Sequence, residues 1–218
     1  MRRYSYSFLR SDGSVDHGEQ IAPAIPAFEV AFSAFAHGAL MATPDGHTAI
    51  QDLVPGMHVS TQDGDKKILW TGSMTLMPRS GGVSSARLYR VMPDAFGVGR
   101  PAANLLVGPG ARLMTRPLAL RDTLSCDPVL TPCMDLVDGT HVIEIAPPRP
   151  VTVFHIALDC HAILRADGIE ADSFHPGPGF ERMMDPALRG VYLSLFPHIN
   201  APGDFGALRC RRLPLAGV

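Results

Sequence analysis

Asp159-Cys160-His161 sets a carboxylate, a thiol and an imidazole side by side, the groups from which an activated thiol nucleophile is built. Adjacent residues of a strand face opposite sides, however, which predicts a buried Cys160 and a structural His161 rather than a working pair. Ser33 is a second candidate, a hydroxyl placed directly before Ala34-Phe35-Ala36-His37-Gly38. His37, His47 and His58 gather around one stretch, and His155 and His161 share a face at even spacing. Neither group has the tight spacing of a structural zinc motif, so no metal and no cofactor are expected. Cys126 and Cys133 flank Pro128 and Pro132 in what reads as a loop that binds nothing. The glycine-containing stretches Asp94–Arg100 and Gly108-Pro109-Gly110 lack a strand-to-helix setting and read as turns, not phosphate cradles.

Positioning such groups falls to many short strands. The 20 Pro and 21 Gly interrupt helices and mark turns, and turn signals recur at strand-like intervals. Strands are predicted at Ala39–Thr43, His47–Ile50, Met57–Thr61 and Lys67–Met77. Others fall at Arg87–Val91, Asn104–Val107, Ala111–Met114, His141–Ile145, Val151–Leu158, His161–Arg165 and Ile169–Ala171. Within the Lys67–Met77 run Ile68, Trp70, Met74 and Leu76 share a face, with Gly72 a bulge. Phe28–Phe35 leads into this patterned body, while the residues before it read as a loosely attached arm or an edge strand. Asp185-Pro186 supplies an N-cap and a proline at the first helical position. The helix it starts runs through Ala187–Phe196 to Pro197, with Leu188, Tyr192, Leu195 and Phe196 on one face.

With 46% hydrophobic and 18% charged residues the chain can bury a core. A net charge of -2 without a basic stripe argues against nucleic acid, and no apolar run reaches membrane-span length. Four scattered cysteines and a start without an apolar signal core predict reduced thiols and a cytoplasmic protein.

Three blocks, in order, resemble one family. Ala34–Gly46 followed by Ile50–Val59 resembles the opening of Hint domains, the core shared by hedgehog autoprocessing domains and inteins, in particular the bacterial Hint-2 branch. Asn104–Leu113 is similar to the family's Asp-Leu-Leu-Val-Ser-Pro-Gln-His-Arg-Leu block. Asp159–Gly168 with Asp172–Gly177 is similar to its Asp-x-His and Glu-Ser-Phe-x-Pro-Gly blocks. The resemblance implies an all-β horseshoe of short strands with a short C-terminal helix. It divides the chain into an arm (1–28), a β domain (29–178) and a helix with its tail (179–218). It also implies an N-to-S acyl shift, in which the first Cys attacks the preceding carbonyl while a His polarises the amide. Here the Cys position is Ala34, the His position is Ala111, and Gly110 replaces an amide side chain. The expected function is therefore a Hint-type module without self-cleavage, serving as a binding or structural unit with an unknown protein partner. Two alternatives stay open: an oxygen version of the shift near Ser33-Ala34, and a different enzyme built on Asp159, Cys160 and His161. Cleavage before Ala34 would release residues 1–33, too few for a folded cargo.

Overall fold

The computed structural model describes residues 1–78, 87–116 and 128–213. Among them fifteen strands form one antiparallel network in two halves. The strand that joins the halves is β7 (Gly64–Leu76), numbered after β1 (Arg2–Leu9), β2 (Val15–Ala22), β3 (Phe35–Ala36), β4 (Leu40–Thr43), β5 (Gly46–Ala49) and β6 (His58–Thr61). The first residues of β7 pair with β6, and the rest pair with β13 (Val151–Leu158) on one side and β1 on the other. On one flank of β13 the sheet continues through β3, β9 (Leu105–Val107), β8 (Leu88–Val91) and β12 (Val142–Ile145). Beyond β6 lie β14 (Ile163–Ala166), β15 (Ile169–Asp172), β10 (Arg112–Thr115) and β11 (Val129–Pro132). This is the all-β arrangement of short strands that the resemblance implies.

Alternation along β7 builds the central wall. Ile68, Trp70, Gly72, Met74 and Leu76 are buried, while Leu69, Thr71, Ser73 and Thr75 face away. Gly72 is not the bulge, because it pairs in register with His155 and with Tyr6. The irregularity falls at Leu69, between the pairs Ala157–Trp70 and Leu158–Ile68. Gly72 is instead a packing glycine: a Cβ there would overlap the Trp70 and Phe32 rings.

Of the two readings of the first residues, the edge strand holds and the loose arm does not. β1 and β2 form a hairpin along the edge of β7, and Tyr4 is fully buried against Phe32, ring centroids 4.7 Å apart. The lead-in Phe28–Phe35 is mostly helical turn rather than strand. Pro26–Glu29 is a short helix opened by its proline, and Val30–Phe32 continues it as a 3-10 turn. The helical path puts Phe28 and Phe32 four residues apart, on the side that meets the aromatic core. Val129–Pro132, expected in a loop, pairs with β10 as a fully buried strand, and Cys133 opens a 3-10 turn behind it. Cys126 lies outside the described residues.

The C-terminal helix spans Pro186–Leu193, and Asp185 caps it by accepting from the Leu188 N–H at 2.9 Å. It ends before Phe196 because the Leu195 and Phe196 N–H groups bond back three residues, tightening the last turn ahead of Pro197. Tyr192, Leu195 and Phe196 still reach the core. Phe196 stacks on Phe174 at 5.1 Å, and the Trp70 indole N–H donates to the Leu195 carbonyl at 2.9 Å. Chain start and chain end thus meet in one aromatic core with Trp70 at its centre.

Candidate functional site

Ser33 and Ala34 are fully buried where the 3-10 turn gives way to β3. The Ala34 N–H donates to the Phe154 carbonyl at 2.9 Å, and the Ala34 carbonyl accepts from the Gly108 N–H at 2.9 Å. The Ser33 carbonyl, which an acyl shift at residue 34 would attack, accepts from the Gly110 N–H at 2.9 Å. The Ser33 hydroxyl donates to the Glu29 carbonyl at 2.7 Å, closing the end of the short helix. It is held as a cap, with no imidazole among its hydrogen-bond partners.

Loop 108–111 lies backbone-on-backbone against Val30–Ala34. A Cβ on Gly108 would overlap the Ser33 carbonyl oxygen, and one on Gly110 would overlap the Val30 carbonyl oxygen. Ala111 is buried in the same core cluster as Ala34, and its carbonyl is taken by the Cys133 N–H at 2.9 Å. The structure therefore brings Ser33, Ala34, Gly110 and Ala111 together, with no room for a side chain at 108 or 110.

Asp159, Cys160 and His161 do not assemble into a reacting group. β13 ends at Leu158, so Asp159 and Cys160 sit in a bend rather than in a strand. Cys160 is exposed, contrary to the expected buried thiol, because the bend turns it outward. Its thiol pKa is raised by desolvation and by the Asp159 carboxylate, the opposite of activation. Burial likewise raises the thiols of Cys133, to about 12, and of Cys210.

His161 is buried and faces other partners. Its Nδ1 accepts from the Arg209 backbone N–H at 2.9 Å, and its Nε2 stands 3.4 Å from Arg212 Nη2. That Nε2 lies 3.9 Å from Asp172 Oδ2, beyond hydrogen-bond reach but close enough for charge to act. Asp172 in turn accepts from the Arg212 guanidinium at 2.8 Å, and the same guanidinium donates to the His175 carbonyl at 2.7 Å. Burial pushes the Asp172 carboxyl up, but Arg212 and the His161 ring outweigh it and hold the pKa at about 2. The cluster fastens chain end 209–212 to β15 and is structural in its geometry. Arg209 and Arg212 carry no sequence signal of this role; the one available signal is a charged Asp172 between Ala171 and Ser173 at the end of a core strand.

His155 is buried between Phe35 and Phe174, both edge-on, and burial drives its pKa down to about 3. His37, His47 and His58 are exposed. Among the described residues no three His, Cys, Asp or Glu side chains converge as metal ligands, and no helix is long and apolar enough to cross a membrane.

A family model described as "Hint domain" matches residues 33–178, and the chain belongs to that family. Solved structures similar to it include a bacterial intein-like domain from Clostridium thermocellum, at 14% identity and TM-score 0.45, covering 65% of this chain and 98% of that one. The MchDnaB-1 intein is similar at 13% identity and TM-score 0.41, covering 65% of this chain and 100% of the intein. No curated protein matches the chain.

Proposed function

We propose that this chain is a Hint domain that does not cleave itself and serves as a binding or structural module. One observation carries the reading: the backbone of loop 108–111 is packed against Val30–Ala34, leaving no room for side chains at 108 and 110. Alanine at both 34 and 111 supports it from the side of chemistry, since neither side chain can attack a carbonyl or move a proton. The surroundings of Cys160 support it too, because a thiol raised in pKa and separated from His161 is a poor nucleophile.

A second reading has one observation in its favour. The Gly110 N–H on the Ser33 carbonyl is a hydrogen bond of the kind that stabilises a tetrahedral intermediate. Under that reading an unconventional nucleophile attacks the Ser33 carbonyl and breaks the chain before Ala34; an oxygen shift by Ser33 would instead attack the Phe32 carbonyl and break the chain before Ser33, a step the Gly110 N–H does not serve. The test is intact-protein mass spectrometry of the purified chain, with and without dithiothreitol or hydroxylamine at mildly alkaline pH. One species at the full 23.4 kDa is expected under every condition. A fragment beginning at Ser33 or Ala34 supports the second reading and overturns the first.

A further inference from the structure

A cleft of about 480 Å³ opens between the outward face of the β2-β1-β7-β13 sheet and the segment Ile50–Val54. Its floor is two cross-strand rows. Register aligns Glu19, Ser5, Ser73 and Phe154 in one row. His17, Ser7, Thr71 and Ile156 are aligned in the other. Each row therefore runs from an ionisable group, across two hydroxyls, to an apolar side chain. Ile50 and Leu53 close the opposite side.

The polar groups are partly pre-set. Ser5 Oγ donates to Glu19 Oε1 at 3.1 Å, and Ser7 Oγ bonds His17 Nδ1 at 2.7 Å. Among the described residues the Thr71 and Ser73 hydroxyls have no hydrogen-bond partner and remain open to a ligand. Gln51, also in the lining, accepts from the Gly38 N–H through its amide oxygen at 2.9 Å.

These features select a chemistry. No Lys or Arg is among the described lining residues, so a phosphate or carboxylate ligand finds no counter-charge. The floor is a sheet face whose main-chain groups are spent in the ladders, so an added peptide strand finds no backbone to pair with. What remains is a hydroxyl-lined floor, a carboxylate, an imidazole and an aromatic ring at one end, within the usual size range of ligand clefts. We propose that this cleft binds a neutral sugar, with the pyranose hydroxyls on Thr71 and Ser73 and its apolar ring face on Phe154. The inference deepens the binding-module reading and rests on it; loss or retention of self-cleavage is read by mass alone, so the two fail separately.

The test is saturation-transfer NMR on the full chain. The probes are glucose, galactose, mannose and N-acetylglucosamine with their β-1,4-linked dimers, and triglycine and inorganic phosphate serve as controls. Transfer to ring protons of at least one sugar is expected, with Kd on the order of 1 mM. Thr71→Val with Ser73→Ala, which removes two outward hydroxyls at almost constant shape, should weaken it about tenfold while leaving the melting temperature in place. Absence of transfer from every sugar overturns the proposal. So does sugar binding unchanged in the double variant, or triglycine or phosphate binding in place of the sugars.

Discussion

Gly110 is the residue on which the filled locus depends most directly. A methyl group there meets the Val30 carbonyl oxygen, so Gly110→Ala should destabilise the fold by about 1–3 kcal/mol through overpacking, read as a lower urea midpoint at unchanged slope. A variant as stable as the parent would show that the two segments part easily. Asp172 is the second such residue. Its carboxylate is buried against Arg212, and Asp172→Asn, which leaves the guanidinium without its counter-charge, should cost about 3–5 kcal/mol in the same assay. Titration follows from the same environments. Burial depresses the folded-state pKa of His155 to about 3 and of His175 and His198 to about 4, below the ordinary value of about 6.5. These groups contribute stability above about pH 6.5 that is lost as pH falls toward their folded values, because the unfolded chain then binds protons the folded chain refuses. Asp172 adds a further loss only as pH falls from about 4 toward 2. The urea midpoint should therefore begin to fall below about pH 6.5, well before carboxylates titrate. A midpoint that stays level to about pH 4.5 contradicts the neutral burial of these three rings.

At the scale of elements, the hairpin and the C-terminal helix are parts of the core rather than attachments to it. Phe32 touches Tyr4, Trp70 and Phe196, residues from the start, middle and end of the chain. Phe32→Ala should cost about 3–5 kcal/mol, with loss of near-UV signal from Trp70, whereas a loosely attached arm would leave that signal intact. The strands of the central body were legible because their period-two patterning is strong, as in Ile68, Trp70, Met74 and Leu76. The Pro26–Phe32 helical turn was not, since seven residues hold too few periods to separate a helix from a strand. The bulge was misplaced for a related reason: Gly72 looks like a defect in sequence, yet its missing side chain is space taken by Trp70 and Phe32. β11 was hidden by Pro128 just before it and Pro132 at its end, which mark turns locally but here bound a buried strand. For the candidate site, the alanines at 34 and 111 were visible in the sequence. The closeness of loop 108–111 to Val30–Ala34 was not, because it is a backbone contact between segments more than seventy residues apart.

Across the whole molecule, the Hint scaffold is retained, and loop 108–111 lies backbone-on-backbone against Val30–Ala34, where residue 34 and residue 111 are both alanine. Residues 1–33 supply Tyr4, Phe28 and Phe32 to the shared core, so even a broken 33–34 bond would leave the two pieces packed together. The most direct test restores the two missing side chains. Ala34→Cys and the double variant Ala34→Cys/Ala111→His are purified, their folding is checked by circular dichroism, and their intact masses are followed in hydroxylamine at mildly alkaline pH. The account predicts that both stay at full length, the single variant folded like the parent and the double variant less stable from overpacking. Accumulation of a fragment ending at Ser33 in a folded variant would contradict it, and would mean that only two side chains separate this module from a self-cleaving one.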